Sequence, residues 1–362
     1  MTDPASNPDP TPIEARDRTG LSGLLGRYFL VIAFFGLIGF FSLLRPESFF
    51  TANNFSGLFV NQIVVVFAAV GLIGPLIVGE LDMSIGYVVG FGQAVVVALM
   101  TMAGLAPVPA IVLSLTACLA LGTLNGILVV RFQINSLIAT LAVGNVLYGI
   151  VLWFTGGTIL FQNVPAWFLT ISGSSLLGLP MPIWYGLALV ILVEIVLQFL
   201  PLGRRLYAIG GNRRAALLTG IRVPGLIIGA FGFSALLSGV GGVIIASRLG
   251  SAQPELGPSF LMPAIASAFL GATTIRPGRF NALGTAVAVY AVAVIVTGLQ
   301  QIGVPFWVEN VVYGTALATG VGLSGRLTRM REEAARRSPL RALKEGRLAA
   351  RPLETSAFKE IS

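Results

Sequence analysis

Ionisable residues are scarce inside the apolar runs of this 362-residue sequence, and the densest group is Gly79–Ser84, which reads Gly-Glu-Leu-Asp-Met-Ser. Charge at bilayer depth is costly and marks a functional site by default. A helix broken here would expose amides and carbonyls that can bind a polar solute. The same residues also fit a capped turn, in which Asp82 or Ser84 accepts hydrogen bonds from the amides that begin the next helix. The two interpretations are compatible, and both stay open.

Uncharged amides elsewhere in the apolar runs extend this set of candidate solute contacts. With Asp82 and Ser84, the candidates for a translocation path are Asn125, Asn145, Gln253 and Gln300. Amides suit a neutral solute rich in hydroxyl groups, whereas hydrogen bonding between helices is their common alternative role. The roles of Glu80 and Glu194 also stay open; Glu194 could reach Arg204 or Arg205 at the membrane surface, or serve a proton relay.

Several kinds of chemistry are excluded by residue types that the sequence lacks or nearly lacks. It has no histidine, one cysteine (Cys118) and two lysines, Lys344 and Lys359. Histidine-ligated metals, imidazole catalysis and intrachain disulfides are therefore excluded, and neither lysine follows the glycine-rich run of a phosphate-binding loop. We expect no cofactor on this chain, and any binding of ATP and Mg²⁺ and any ATP hydrolysis must take place on another polypeptide.

Long apolar runs must position these residues. Hydrophobic residues make up 55% of the chain and charged residues 10%, with a mean hydropathy of +0.88, whereas a soluble domain carries about 25% charged residues. Runs near the ~20 residues that a spanning helix needs predict an all-α polytopic membrane protein with about ten transmembrane helices. They lie near 28–44, 60–79, 85–103, 109–130, 134–154, 183–200, 224–247, 262–273, 281–301 and 307–323. The segment 262–273 is short and flanked by prolines, so it either crosses fully or forms a half-helix buried in protein.

Arginines in the loops predict the orientation. If both termini are cytoplasmic, the outward loops hold only Arg45 and Arg248. The inward loops then hold Arg131, Arg204, Arg205, Arg213, Arg214, Arg222, Arg276 and Arg279. This asymmetry is what the positive-inside rule expects of a multi-pass protein of the bacterial inner membrane.

Three regions follow from this pattern. Residues 1–27 predict a disordered cytoplasmic leader, residues 28–325 a transmembrane domain, and residues 326–362 a basic cytoplasmic tail. Ten of the 23 lysines and arginines follow Gly325. Basic residues massed just beyond the last span favour contact with anionic lipid and argue against a nucleic-acid partner, despite the net charge of +8.

The longest inward loop, 201–223, contains a short predicted helix. Asn212 is a good N-cap, the residues after it favour helix, and Gly220 is placed to end it. This helix would leave alanines and leucines exposed, which a loop that meets only solvent does not need. We therefore expect a partner protein to cover it.

Several motifs carry a resemblance to a known family. They are Leu202–Ala216 (Leu-Gly-Arg-Arg-x-Tyr-Ala-Ile-Gly-Gly-Asn-x-x-Ala-Ala), Gly79–Ser84, Asn125-Gly126, Ile138–Leu141, Ala246–Pro254, Gly271–Thr273, Gly278-Arg279 and Gly284-Thr285. In order and spacing, across roughly residues 28 to 325, the chain resembles the permease subunits of bacterial ABC importers for monosaccharides of the ribose, xylose and galactose type.

The resemblance implies a fold, a set of partners and a role for the inward loop. The fold would be like that of type II ABC importers, with broken or half-helices among the spans. The partners would be a second permease copy, two ATP-binding cassette subunits or one double-cassette ATPase, and a periplasmic or lipid-anchored substrate-binding protein. The resemblance assigns coupling to the ATPase to Gly210, Gly211, Asn212, Arg213, Arg214, Ala215, Ala216 and Gly220.

Departures from the family pattern leave the substrate open. The second glycines of the Gly-Gly-x-Asp and Gly-Gly-Thr motifs are Glu80 and Ala272, and Phe260–Pro263 replaces a segment that often carries acids. A branched-chain amino acid, polyol or nucleoside therefore stays an alternative to a sugar. The other classes are an ion-coupled secondary transporter, which would need buried acids, and an intramembrane enzyme, which would need histidine or paired acids.

Overall fold

The computed structural model describes residues 21–344 and the side-chain surroundings of residues 27–326. The helices are α1 (Leu21–Leu44), α2 (Ala52–Asn61), α3 (Ile63–Ile77), α4 (Ile85–Thr101), α5 (Pro107–Arg131), α6 (Ser136–Thr155), α7 (Ala166–Gly173), α8 (Met181–Phe199), α9 (Pro201–Gly211), α10 (Arg213–Leu218), α11 (Val223–Leu249), α12 (Leu256–Ser259), α13 (Leu261–Gly271), α14 (Ala282–Gln301) and α15 (Val308–Lys344). The strands β1 (Ser175–Leu176) and β2 (Leu179–Pro180) form an antiparallel hairpin before α8.

Every predicted span coincides with a helix or a helix pair, because a helix satisfies its own backbone and can present apolar side chains to lipid. Within the described residues, seven helical segments are long and apolar enough to cross a membrane, so a count of about ten is approximate. The shorter apolar helices are α4 and the pair α12–α13. At 1.5 Å per residue, α13 is about 16 Å long, roughly half of a hydrocarbon core.

The bundle is organised around α3 and α11. All fifteen residues of α3 are buried, and α11 packs against α3, α4 and α5. On the other side of α3, α13 packs against α14 and α15, while α1 lies on α14. Both the centre and the outer helices are apolar, since the outer faces meet lipid instead of water.

Small residues allow these helices to approach closely. A Cβ on Gly86 or Gly90 of α4 would lie within 3 Å of backbone atoms of Gly257, and a Cβ on Gly126 of α5 would lie 2.6 Å from the Cα of Ile228 in α11. Spacings of small-xxx-small residues serve the same purpose in membrane helix pairs generally. The glycine spacings of α4 and α5 therefore serve tight packing.

The helices at the two ends extend past the predicted transmembrane boundaries. Helix α1 begins at Leu21, seven residues before the predicted first span, and α15 continues to Lys344, beyond the predicted boundary at residue 325. The rest of the predicted leader, residues 1–20, and the rest of the predicted tail, residues 345–362, lie outside the described residues.

Candidate functional site

Two features predicted from sequence lie together at one end of the bundle. The break between α3 and α4 and the α9–α10 segment meet where α5 and α8 end and where α6, α11 and α14 begin. We call this end the α10 face. The β1–β2 hairpin lies at the start of α8 and so at the opposite end, about 28 Å away by the length of that 19-residue helix.

The break itself is a compact turn that follows Pro75. The amides of Val78 and Glu80 donate to the carbonyl of Pro75 at 3.1 and 3.0 Å, and Gly79 has a φ of +83°, a conformation that favours glycine. Two further amides are bonded by side chains of α6. The amide of Leu81 donates to the hydroxyl of Ser136 at 3.2 Å, and that of Met83 to the hydroxyl of Thr140 at 2.9 Å.

Asp82 forms the centre of a buried polar cluster that joins the break between α3 and α4 to α5 and α11. Its carboxylate accepts from the Ser84 amide (2.9 Å), the Ser84 hydroxyl (2.6 Å) and the Ser234 hydroxyl of α11 (2.8 Å). The amide of Asn125 in α5 donates to the Ser84 hydroxyl at 2.9 Å. Asp82, Ser84, Asn125 and Ser234 are fully buried. A buried carboxylate is tolerated when such donors surround it.

The geometry of this cluster favours the capped turn over an open solute site. Three of the predicted path residues, Asp82, Ser84 and Asn125, lie together here, and their polar groups mainly bond one another. One atom differs: the amide oxygen of Asn125 is buried and accepts no hydrogen bond from the described residues. Ser234 was not predicted, because a single serine within the apolar run of α11 carries no distinguishing signal.

The other three path candidates do not join this cluster. Asn145 is exposed on α6, and its side chain donates to the carbonyl of Leu141 in the preceding turn at 2.9 Å. Gln253 is half-buried in the loop between α11 and α12. Gln300 is exposed near the end of α14, whereas the neighbouring Gln301 donates to Asn54 at 2.8 Å. A role for these three in a path stays a prediction.

The inward loop forms two helices where one was predicted. Asn212 caps α10 as expected: its backbone is extended and its side chain accepts from the Ala215 amide at 3.0 Å. Gly220 has a φ of +80° just after that helix ends. Gly210 and Gly211, however, are the last residues of α9. They were predicted within the coupling segment but precede its helix, because Asn212 interrupts the backbone between the two.

Helix α10 has one buried and one exposed apolar side. Ala216 is buried against the core of the bundle. Leu217 and Leu218 are 51% and 89% exposed. Leu217 borders a cavity at this end of the bundle, whereas Leu218 is almost fully exposed. The exposed side is the apolar face for which the sequence predicted a partner.

Two contacts connect the α9–α10 segment to the break. The carboxylate of Glu80 pairs with the guanidinium of Arg213, the first residue of α10, at 2.9 Å. At the end of α9, a Cβ on Gly210 would overlap the carbonyl oxygen of Ile77, the last residue of α3. A displacement of α10 would therefore act directly on the turn that holds Asp82. Glu80 and Arg213 are 133 positions apart in the sequence, which is why the pair was not predicted.

A cavity of about 470 Å³ opens beside this ion pair on the α10 face. Its wall includes Glu80, Arg213 and Leu217, and the α5–α6 loop contributes Gln133 and Asn135. Ser136 also lines the cavity, so the side chain that bonds the Leu81 amide faces this space. The cavity thus extends from α10 to the outer surface of the break.

Glu194 is buried, and of the roles left open by the sequence, the structure does not show contact with Arg204 or Arg205. Its carboxylate accepts from the amides of Ala282 (2.9 Å) and Leu283 (3.3 Å), which begin α14, and from the side chain of Gln198. It also lies 3.7 Å from the guanidinium of Arg276. Negative charge at a helix N-terminus is stabilising, so Glu194 acts as a structural cap between α8 and α14.

Helix α9 is fixed to the same region by Tyr207. Its hydroxyl donates to the carbonyl of Phe280 at 2.6 Å, and the guanidinium of Arg279 lies 5.4 Å from the centre of its ring. Burial, together with the nearby Glu194 carboxylate, raises the pKa of Tyr207 to about 12. The hydrogen bond and the ring contact hold α9 against the segment that precedes α14.

Comparison with known proteins gives matches over most of the chain. Residues 54–318 match the profile of a family described as branched-chain amino acid transport system / permease component. The ribose import permease of Bacillus subtilis (strain 168) is 32% identical over 305 residues, which are 84% of this chain and 94% of the relative. The L-arabinose ABC transporter permease of Azospirillum brasilense is 30% identical over 315 residues, which are 87% of this chain and 92% of the relative.

A third relative carries a related name. The D-allose transport system permease of Escherichia coli (strain K12) is 30% identical over 288 residues, which are 79% of this chain and 88% of the relative. No solved structure matches the chain at a significant level.

Proposed function

We propose a function from one premise: the chain belongs to the family of branched-chain amino acid transport system permease components, and it is a membrane-spanning permease subunit of an ABC importer. We infer that its solute is a neutral monosaccharide. The observation that carries this inference is the agreement among relatives about 30% identical over most of both chains, named for ribose, L-arabinose and D-allose. All three solutes are uncharged aldoses.

The buried charges of the chain support a neutral solute. An amino acid is a zwitterion, and a path for it would need charged or dipolar groups available to both of its ends. Asp82 and Glu194 are buried acids of the transmembrane region, and the carboxylates of both already accept hydrogen bonds from serine hydroxyls or helix amides. A branched-chain amino acid remains the second candidate, because the family description names that class.

The energy would come from a separate ATPase. In this proposal, two permease copies form the path, two cassette subunits bind ATP and Mg²⁺, and a binding protein delivers the sugar from the periplasm. The α10 face is then cytoplasmic, which agrees with its content of arginines and the positive-inside rule. The exposed leucines of α10 contact the ATPase, and the Glu80–Arg213 pair and the Gly210–Ile77 contact pass its movement to the break.

Reconstituted transport tests the substrate and the energy source together. The permease, its ATPase and its binding protein would be placed in liposomes, and uptake of labelled ribose, arabinose, allose and leucine would be measured with and without ATP. We expect ATP-dependent uptake of at least one aldose and none of leucine. Uptake of leucine alone would support the second candidate, and uptake driven by an ion gradient without the ATPase would refute the assignment.

A matched pair of leucines tests the role of α10. Leu218 in α10 and Leu177 in the hairpin are 89% and 84% exposed and lie at opposite ends of the bundle. We expect Leu218→Asp to lower ATP-dependent uptake strongly, since it places a charge in the apolar contact, and Leu177→Asp to leave this coupling step intact. Equal uptake by wild type and Leu218→Asp would contradict a docking role for α10.

A further inference from the structure

An apolar groove of about 290 Å³ lies between α3, α8, α9 and α11, away from the break and from α10. Every residue that lines it is apolar, and its floor includes Val193, Leu197 and Ala230, which are buried. Its rim includes Leu192, which is 61% exposed. The groove is therefore open sideways, toward the region that lipid occupies around a membrane protein.

The length of the groove matches one leaflet of a bilayer. Along α11 it runs from Leu226 to Leu237, which is about 16 Å at 1.5 Å per residue. Half of a hydrocarbon core of about 30 Å is about 15 Å. Its α9 end lies at the α10 face, so the groove extends from that membrane surface to near the middle of the bilayer.

Two arginines are close in sequence to residues that line the surface end of this groove. Arg205 follows Leu202 and precedes Leu206, two residues of α9 that line the groove, and Arg222 lies one turn before Leu226. Both arginines are exposed. Neither takes part in the two ion pairs found among the described residues, which use Arg213 and Arg276.

We propose that this groove binds one acyl chain of an anionic phospholipid, whose phosphate is held by Arg205 and Arg222. The apolar lining excludes a polar solute, because a buried hydroxyl without a hydrogen-bond partner is costly. Basic pockets between membrane helices on the cytoplasmic side are typical sites for anionic headgroups. The site uses other residues of α3 and α9 than the Gly210–Ile77 contact. Its cytoplasmic placement rests on the proposed function, but it does not depend on the identity of the sugar.

A pair of glycines in α11 allows a direct test. A Cβ on Gly229 or on Gly225 would meet no atom within 4 Å, but Gly229 lines the groove and Gly225 does not. Gly229→Leu would therefore fill the groove with little strain, and Gly225→Leu, one turn away, is the control. The double variant Arg205→Gln/Arg222→Gln removes the charge and leaves the groove open.

Lipid binding would be measured on the purified full-length chain by native mass spectrometry, with phosphatidylglycerol and phosphatidylcholine added in turn after delipidation. We expect wild type and Gly225→Leu to retain phosphatidylglycerol and to prefer it by about 30-fold, since two basic groups each attract anionic lipid. Gly229→Leu should lose this bound lipid, and the arginine variant should lose the preference.

Two results would overturn the proposal. One is equal retention of the two lipids by the wild-type protein. The other is unchanged phosphatidylglycerol binding in Gly229→Leu. If Gly229→Leu keeps its lipid but no longer forms a dimer, the groove is a contact with a second copy and not a lipid site. Transport is not part of the measurement, so a failure here is distinct from a failure of the proposed function.

Discussion

Gly210 is the position where the smallest change should damage coupling most. The Cβ of an alanine there would overlap the carbonyl oxygen of Ile77, a backbone atom that cannot rotate away. Overpacking of this kind costs about 1–3 kcal/mol, while alanine gains about 1 kcal/mol over glycine in a helix. Gly211 follows it in the same helix and has nothing within 4 Å of its Cβ position. Gly211→Ala therefore gains the helix propensity of alanine without an overlap with Ile77.

The difference between the two variants is thus about 1–3 kcal/mol, taken directly from the contact between α9 and α3. A coupling free energy of that size corresponds to roughly a 5- to 150-fold effect. We expect ATP-dependent uptake by Gly210→Ala in proteoliposomes to fall at least about fivefold below that of Gly211→Ala. The melting temperature in detergent should also be lower for Gly210→Ala.

Binding of the ATPase separates coupling from docking. Gly210→Ala should still bind the ATPase, because the leucines of α10 are unchanged. Equal uptake and equal melting temperature for the two variants would refute the reasoning that the α9–α3 contact transmits force. Loss of both ATPase binding and folded protein in Gly210→Ala would show that the glycine serves stability alone.

Two further predictions concern the break. Glu80→Arg and Arg213→Glu should each reduce uptake a few-fold, because a partly exposed ion pair contributes at most about 1 kcal/mol. The double exchange Glu80→Arg/Arg213→Glu should restore much of the lost uptake. If the double variant instead loses as much uptake as the two single variants together, the ion pair is not a link between α10 and the break. Asp82→Ala removes the acceptor of three donors, each hydrogen bond to a charged group contributing roughly 1.5–3 kcal/mol, whereas Ser234→Ala removes one. The melting temperature should therefore fall much further for Asp82→Ala, and equal values for the two variants would contradict the central place of the carboxylate.

The sequence was a sufficient guide wherever local chemistry decides the structure. The cap at Asn212, the end of α10 at Gly220, the turn at Gly79–Ser84 and the shortness of α13 all depend on residues within a few positions of one another. Capping, positive φ and hydrophobic length are local properties, so a single sequence contains them.

Contacts between distant segments were not available from the sequence. Glu194 caps α14 and pairs with Arg276, and Ser234 bonds Asp82 from 152 positions away. Several arginines and many serines were equally plausible partners, and the choice among them depends on which helices pack together. Amide candidates such as Gln300 show the same limit: one residue along a helix rotates a side chain by about 100°, and Gln301, not Gln300, bonds Asn54.

Cysteine crosslinking tests most directly whether α10 lies in the cytoplasm and contacts the ATPase. The chain has one cysteine, Cys118, which is buried and can be replaced by alanine. In that background, Leu218→Cys and Leu177→Cys place equally exposed thiols at opposite ends of α8. We predict that Leu218→Cys crosslinks to the ATPase subunit and is not labelled by a membrane-impermeant maleimide in intact spheroplasts. Leu177→Cys should be labelled by the maleimide and should not crosslink to the ATPase. Labelling of Leu218→Cys from outside, or a crosslink to the ATPase from Leu177→Cys, would contradict this prediction.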